Sequence, residues 1–119
     1  MALAEIDVVV LDCPDPGALA GFYAEVLGGS VEVEDDWADV RVDGTRVLAF
    51  QAAPGHVAPR WPAGDSSQQF HVDFRVADLD AAEAGVLALG AKPLDTTDRS
   101  RGWRVFADPA GHPFCLCKY

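Results

Sequence analysis

Residues 9–29 read VVLDCPDPGALAGFYAEVLGG, and residues 75–91 read RVADLDAAEAGVLALGA. Each stretch is the tail of an apolar strand, an Asp, an amphipathic run, then Leu-Gly and a small residue. Asp15 matches Asp78 at an offset of 63, and Leu27-Gly28 matches Leu89-Gly90 at an offset of 62. A repeat of about half the chain length means two copies of one supersecondary unit. In the first copy Asp15 is placed to cap a helix, with Pro16 at its first position. Leu19, Phe22, Tyr23, Val26 and Leu27 fall on one face of that helix, and Gly28-Gly29 ends it.

Working outward, residues 6–13 predict a strand that is apolar on both faces. Residues 30–36, 37–43 and 46–52 predict three more, the last pair joined by an Asp43-Gly44 turn. The second copy repeats the order: a strand over 70–76, a helix over 78–89, and strands over 91–94, 103–107 and 114–118. The final turn is Asp108-Pro109-Ala110-Gly111. The expected fold is α+β, two βαβββ modules forming a curved mixed sheet around a cavity. Neither module can bury its sheet face alone, so one domain is expected over 1–119. Module one runs over about 5–53, a connector over 54–69 and module two over 70–119. The connector holds three prolines and two glycines, so it reads as irregular. A loop of that length inside a compact domain usually has a use.

The chain has 119 residues, half of them hydrophobic, which suits a globular domain with a real core. Net charge is −10, a field that disfavours nucleic acid and suits cationic small molecules. The same acidity also serves solubility. No apolar run reaches membrane-spanning length, and MALAEIDVVV lacks the basic region of a signal peptide. Three cysteines, two of them Cys115 and Cys117, argue against a disulfide framework and for a reducing cytoplasm.

These residues together resemble the vicinal oxygen chelate superfamily, the glyoxalase/bleomycin resistance protein/dioxygenase group, and its glyoxalase-like domain proteins. The carriers are Asp15 with Phe22-Tyr23 and Leu27-Gly28, the run Phe70-His71-Val72-Asp73-Phe74-Arg75-Val76 with Asp78-Leu79-Asp80, and Phe106-Ala107-Asp108-Pro109-Ala110-Gly111-His112-Pro113-Phe114. The resemblance covers essentially the whole chain. It implies a cavity-forming fold, commonly a homodimer.

Metal-dependent members of that superfamily place His, Glu or Gln at four equivalent positions, one on the first and one on the last strand of each module. By spacing, those positions here are Val8, Leu48, His71 and Cys115. Two are aliphatic, and only Asp7 among their neighbours could ligate. A divalent ion needs more than His plus Cys, so no bound metal is expected. A zinc ion on His71, Cys115, Cys117 and a water is the variant that the residues leave open.

His71, Asp73 and Arg75 alternate, which puts them on one face of their strand. On a buried face they would form either a structural ion network or a binding triad. In the triad, Arg75 holds an oxyanion and His71 with Asp73 acts as a base or relay. Trp37, Phe50, Trp61 and Trp103 are the candidate aromatic walls. With Cys115, these residues make the expected ligand site. The expected function is small-molecule binding of the glyoxalase/bleomycin-resistance type, without the usual catalytic metal. The alternatives are sequestration of a cationic antibiotic, or a lyase, isomerase or dioxygenase-type reaction.

Overall fold

The computed structural model describes residues 2–61 and 70–118. The described residues form β1 (Val10–Cys13), α1 (Pro16–Leu27), β2 (Ser30–Glu34), β3 (Trp37–Val42), β4 (Thr45–Ala52), β5 (Val72–Val76), α2 (Leu79–Ala88), β6 (Lys92–Asp95), β7 (Trp103–Ala107) and β8 (Pro113–Lys118). This is βαβββ twice, with one four-stranded mixed sheet per repeat, ordered β1-β4-β3-β2 and β5-β8-β7-β6. In each sheet the first strand runs parallel to the last, and the remaining pairs are antiparallel. The chain divides into two compact units, Met1–His56 and Val57–Tyr119. Residues 62–69 of the connector lie outside the described residues.

The first unit is built as its local chemistry dictates. The Asp15 side chain accepts from Ala18 N at 3.2 Å, Pro16 begins the helix, and Gly28 closes it at φ 70°. Leu19, Phe22 and Tyr23 are buried, whereas Val26 and Leu27 are only half-buried. Tyr23 stacks on Phe50 with ring centroids 5.6 Å apart. At the tip of the β3–β4 hairpin, Asp43 and Gly44 both have positive φ, 50° and 79°, the two-residue turn that matches strand twist. Strand β1 is shorter than the sequence predicts. Its pairing with β4 begins at Val10↔Ala49, and residues 2–7 are exposed.

In the second unit Asp78 caps α2 by accepting from Ala81 N at 3.1 Å. The core is a ring cluster in which Phe114 meets Phe74 edge-on and Phe106 stacked, each at 5.8 Å. The Asp108-Pro109-Ala110-Gly111 turn is locked from within: Gly111 N donates to Asp108 O at 2.8 Å, and Asp108 Oδ1 accepts from Ala110 N and His112 N. His112 Nδ1 lies 3.0 Å from Asp108 Oδ2, a structural contact that uses up this histidine.

An ion network ties α2 to β7. Asp80 Oδ1 accepts from Arg104 at 2.9 Å and from Arg99 at 3.3 Å. The hydrogen bond from Arg104, then its charge, holds the Asp80 carboxyl below its ordinary range. A carboxylate lowered in the folded state contributes stability above its unfolded pKa and loses it as pH falls through the folded value. Asp80→Asn should therefore lower the melting temperature at neutral pH. The gap to wild type should close in melts taken as pH drops below the ordinary value of 3.8. A gap that persists unchanged into acid would contradict the role of this network.

Candidate functional site

Strand parity decides which side chains meet in the second unit. Phe74, Phe114 and Phe106 take one face and pack as the core. His71, Asp73, Cys115, Cys117, Trp103 and Val105 take the other. The register sets Asp73 beside Cys115, Cys115 beside Val105, and Cys117 beside Trp103. With Trp61 they line a cavity of about 340 Å³ whose surface is chiefly apolar. Trp61 reaches it from the connector, its ring 6.4 Å from the His71 ring. One face of Trp103 carries the Arg101 guanidinium at 3.7 Å.

The polar centre of this cavity is small. His71 Nε2 lies 3.2 Å from Asp73 Oδ1, with the two side chains 42% and 60% exposed. The face that the sequence suggests is buried is therefore open, and the pair needs no burial to be reconciled with its charge. Cys115 is 9% exposed and hydrogen-bonded to Asp73. Burial, then the Asp73 charge and hydrogen bond, push its thiol up to about 12. Burial and Asp73 raise Cys117 as well. Both sulfurs are neutral at physiological pH. They are polarisable walls rather than nucleophiles.

Several of the sequence expectations part company here. Phe50 is no cavity wall: it is fully buried against Tyr23, because Phe50 and Leu48 share the core-facing parity of β4. Trp37 lies on β3 of the first unit, where its Nε1 donates to Asp39 at 2.7 Å. Arg75 shares the face of His71 and Asp73 and pairs in register with Cys117, but it does not line the cavity. Val105 and Cys117 do line it, although neither stands among the expected ligand-site residues. Both follow from stepping two residues along a strand from Trp103 and Cys115.

The register also corrects one of the four metal positions. Val10 pairs with Ala49 as Asp73 pairs with Cys115, so the counterpart of Cys115 is Ala49, not Leu48. Ala49 is as unable to ligate as Leu48. The four-position set therefore does not fit a metal, since the first-unit positions Val8 and Ala49 offer no donor. Within the second unit, ligand atoms of His71, Asp73 and Cys115 lie within 4.8 Å of one another. Metal binding there would require Cys115 as thiolate.

A family model described as glyoxalase-like domain matches residues 8–117. No curated protein sequence matches the chain. Among solved structures, the chain is similar to a glyoxalase/bleomycin resistance protein/dioxygenase family enzyme from Burkholderia phytofirmans PsJN, at 18% identity and TM-score 0.70 over 97% of this chain and 98% of that one. It is similar to the fosfomycin resistance protein FosX of Listeria monocytogenes at 14% identity and TM-score 0.72, over 99% and 95%. A glyoxalase family protein from Enterococcus faecalis matches at 22% identity and TM-score 0.64, over 98% and 99%. At these identities the likeness is one of fold.

Proposed function

The chain belongs to the glyoxalase-like domain family of the vicinal oxygen chelate superfamily, and from that premise we propose that its second module binds a small organic molecule between Trp61 and Trp103 without a resident metal. The observation that carries this reading is the cavity lining. Two indoles flank a His–Asp pair, no Lys or Arg is among the described lining residues, and the Arg101 guanidinium covers one face of Trp103. Apolar cavities with a few convergent polar groups are the usual form of small-molecule sites. An aromatic guest would pack against the indoles, and a positive charge on it would be drawn to the Asp73 carboxylate. The net charge of −10 favours such a guest before contact. Sequestration of a cationic antibiotic would use the same contacts.

The 3.2 Å approach of His71 to Asp73 favours a second reading, metal-free proton transfer on a bound carbon acid, as in an isomerase. Here His71 moves the proton and Asp73 holds the imidazolium that forms. Lyase or dioxygenase-type chemistry on the four-position metal centre is disfavoured by Val8 and Ala49.

The test is a calorimetric titration of the protein with a small aromatic ammonium compound and with its neutral isostere. Asp73→Asn should weaken the cation by about tenfold or more and barely change the isostere. Prior chelation should leave both affinities unchanged. Equal losses for cation and isostere, or binding abolished by chelation, would overturn the reading.

We also propose that the protein is a cytoplasmic homodimer. Among the described residues no helix is long and apolar enough to cross a membrane. Ile6, Val33, Val57 and Phe70 are large apolar side chains left between 62% and 91% exposed, surface that self-association would cover. Light scattering at micromolar concentration should give twice the 12.7 kDa chain mass. A mass of one chain throughout would contradict it.

A further inference from the structure

We propose that a second cavity, at the start of α2, is an oxyanion site for the phosphate group of a small molecule. Among the described residues, this cavity of about 570 Å³ shares no lining residue with the Trp-walled one. Four of the nine Lys and Arg residues of this acidic chain line it: Arg99, Arg101, Arg104 and Lys118. They come from the loop before β7, from β7 and from the end of β8, so they address a guest from several sides. Asp78, Leu79 and Asp80, at the start of the 10-residue α2, complete the lining, with the helix end already capped by the Asp78 carboxylate.

Arg104 is only 5% exposed, held by Asp80 at 2.9 Å and by Glu83 at 3.6 Å. Lys118 makes no ion pair among the described residues.

The resting partners of these cations are internal carboxylates. Asp80 bridges Arg99 and Arg104, Glu83 holds Arg99 at 3.1 Å, and Arg101 pairs with Asp95 at 2.9 Å. Asp80 is the weak member, because its side chain is 79% exposed and returns to water without burial cost. A phosphate dianion carries more charge and more acceptor oxygens than the carboxylate that it displaces. Its tetrahedral shape accepts from donors on several sides, which a planar carboxylate does not. Arg101 also covers Trp103, so occupancy is readable in indole emission.

The experiment titrates the whole protein with inorganic phosphate and with phenyl phosphate at fixed ionic strength, by calorimetry and tryptophan fluorescence, with chloride as the control. Saturable binding at one site per chain is expected. Lys118→Ala and Arg99→Ala, both at exposed positions, should weaken it by about tenfold. Asp80→Asn should strengthen it several-fold by removing the competing carboxylate. Thermal melts confirm that each variant is folded. Tighter binding of phenyl phosphate than of phosphate identifies an organic phosphate as the guest, and equal affinity identifies free phosphate. A linear response no larger than that to chloride overturns the proposal. So does a folded Asp80→Asn that binds no tighter while Lys118→Ala binds no weaker.

Discussion

Replacing Phe50 by Ala should destabilise the protein by about 3–5 kcal/mol, the range for deleting a fully buried aromatic side chain. Phe50 has no exposed surface, and its ring stacks on Tyr23 at an interplanar angle of 16°. It lies between Leu48 on its own strand face and Ala38 across the β3–β4 ladder, both buried. Truncation leaves a void bounded by side chains fixed in regular structure, which cannot collapse to fill it. Denaturant unfolding measures the loss directly. A loss under about 1 kcal/mol, the scale of a partly exposed wall residue, would mean that Phe50 faces a cavity after all.

The second large effect is chemical. Cys115 should react with thiol reagents at pH 7.5 at least about tenfold more slowly than an ordinary cysteine. Its thiol is raised from 9.0 to about 12, and the thiolate fraction at a fixed pH falls tenfold each time the pKa climbs by one. Burial is the first cause and Asp73 the next two. Asp73→Asn should therefore speed the reaction while leaving it slower than for a free thiol. The sign of the linked stability is fixed by the same rise. A group whose folded pKa is raised contributes stability below its unfolded value, and that contribution is lost as pH climbs from about 9 toward about 12. Alkylation followed by peptide mass analysis resolves Cys115 from Cys13 and Cys117. Modification of Cys115 at the rate of a solvent cysteine would show that its environment is not the one described.

The fold is largely legible in the sequence because its punctuation is local. Asp15 and Asp78 cap helices through their own side chains, Gly28 needs only a positive φ, and Asp43-Gly44 closes a two-residue turn. Each of these acts within a few residues of its position. Strand extents are less legible. Residues 6–9 have a strand-like composition, but the ladder to β4 begins only at Val10, and pairing is a property of two segments. The Leu48 position fails for a related reason. Counting from the turn glycine assumes equal turns. The Asp43-Gly44 hairpin is a two-residue loop, whereas the Asp108 turn closes with Asp108 N donating to His112 O.

The site is legible in part. His71, Asp73, Trp103 and Cys115 meet because alternation and register bring them together, and Trp61 joins from the connector. Phe50 misleads because its aromatic character suggests a wall while its strand parity sends it to the core. The arginine-lined cavity is not legible at all. Arg99, Arg101, Arg104 and Lys118 show no motif in sequence, and only the packing of β7 and β8 against the start of α2 gathers them.

The most direct test of the account is where a small aromatic ammonium compound binds. Nitrogen and side-chain chemical-shift mapping of the metal-free protein during such a titration answers it. Saturable shifts are expected at the Trp61 and Trp103 indoles and around His71, Asp73 and Cys117, with the Phe50 and Phe114 cores unmoved. Saturable binding that shifts other residues and leaves Trp103 and Asp73 unchanged would contradict it.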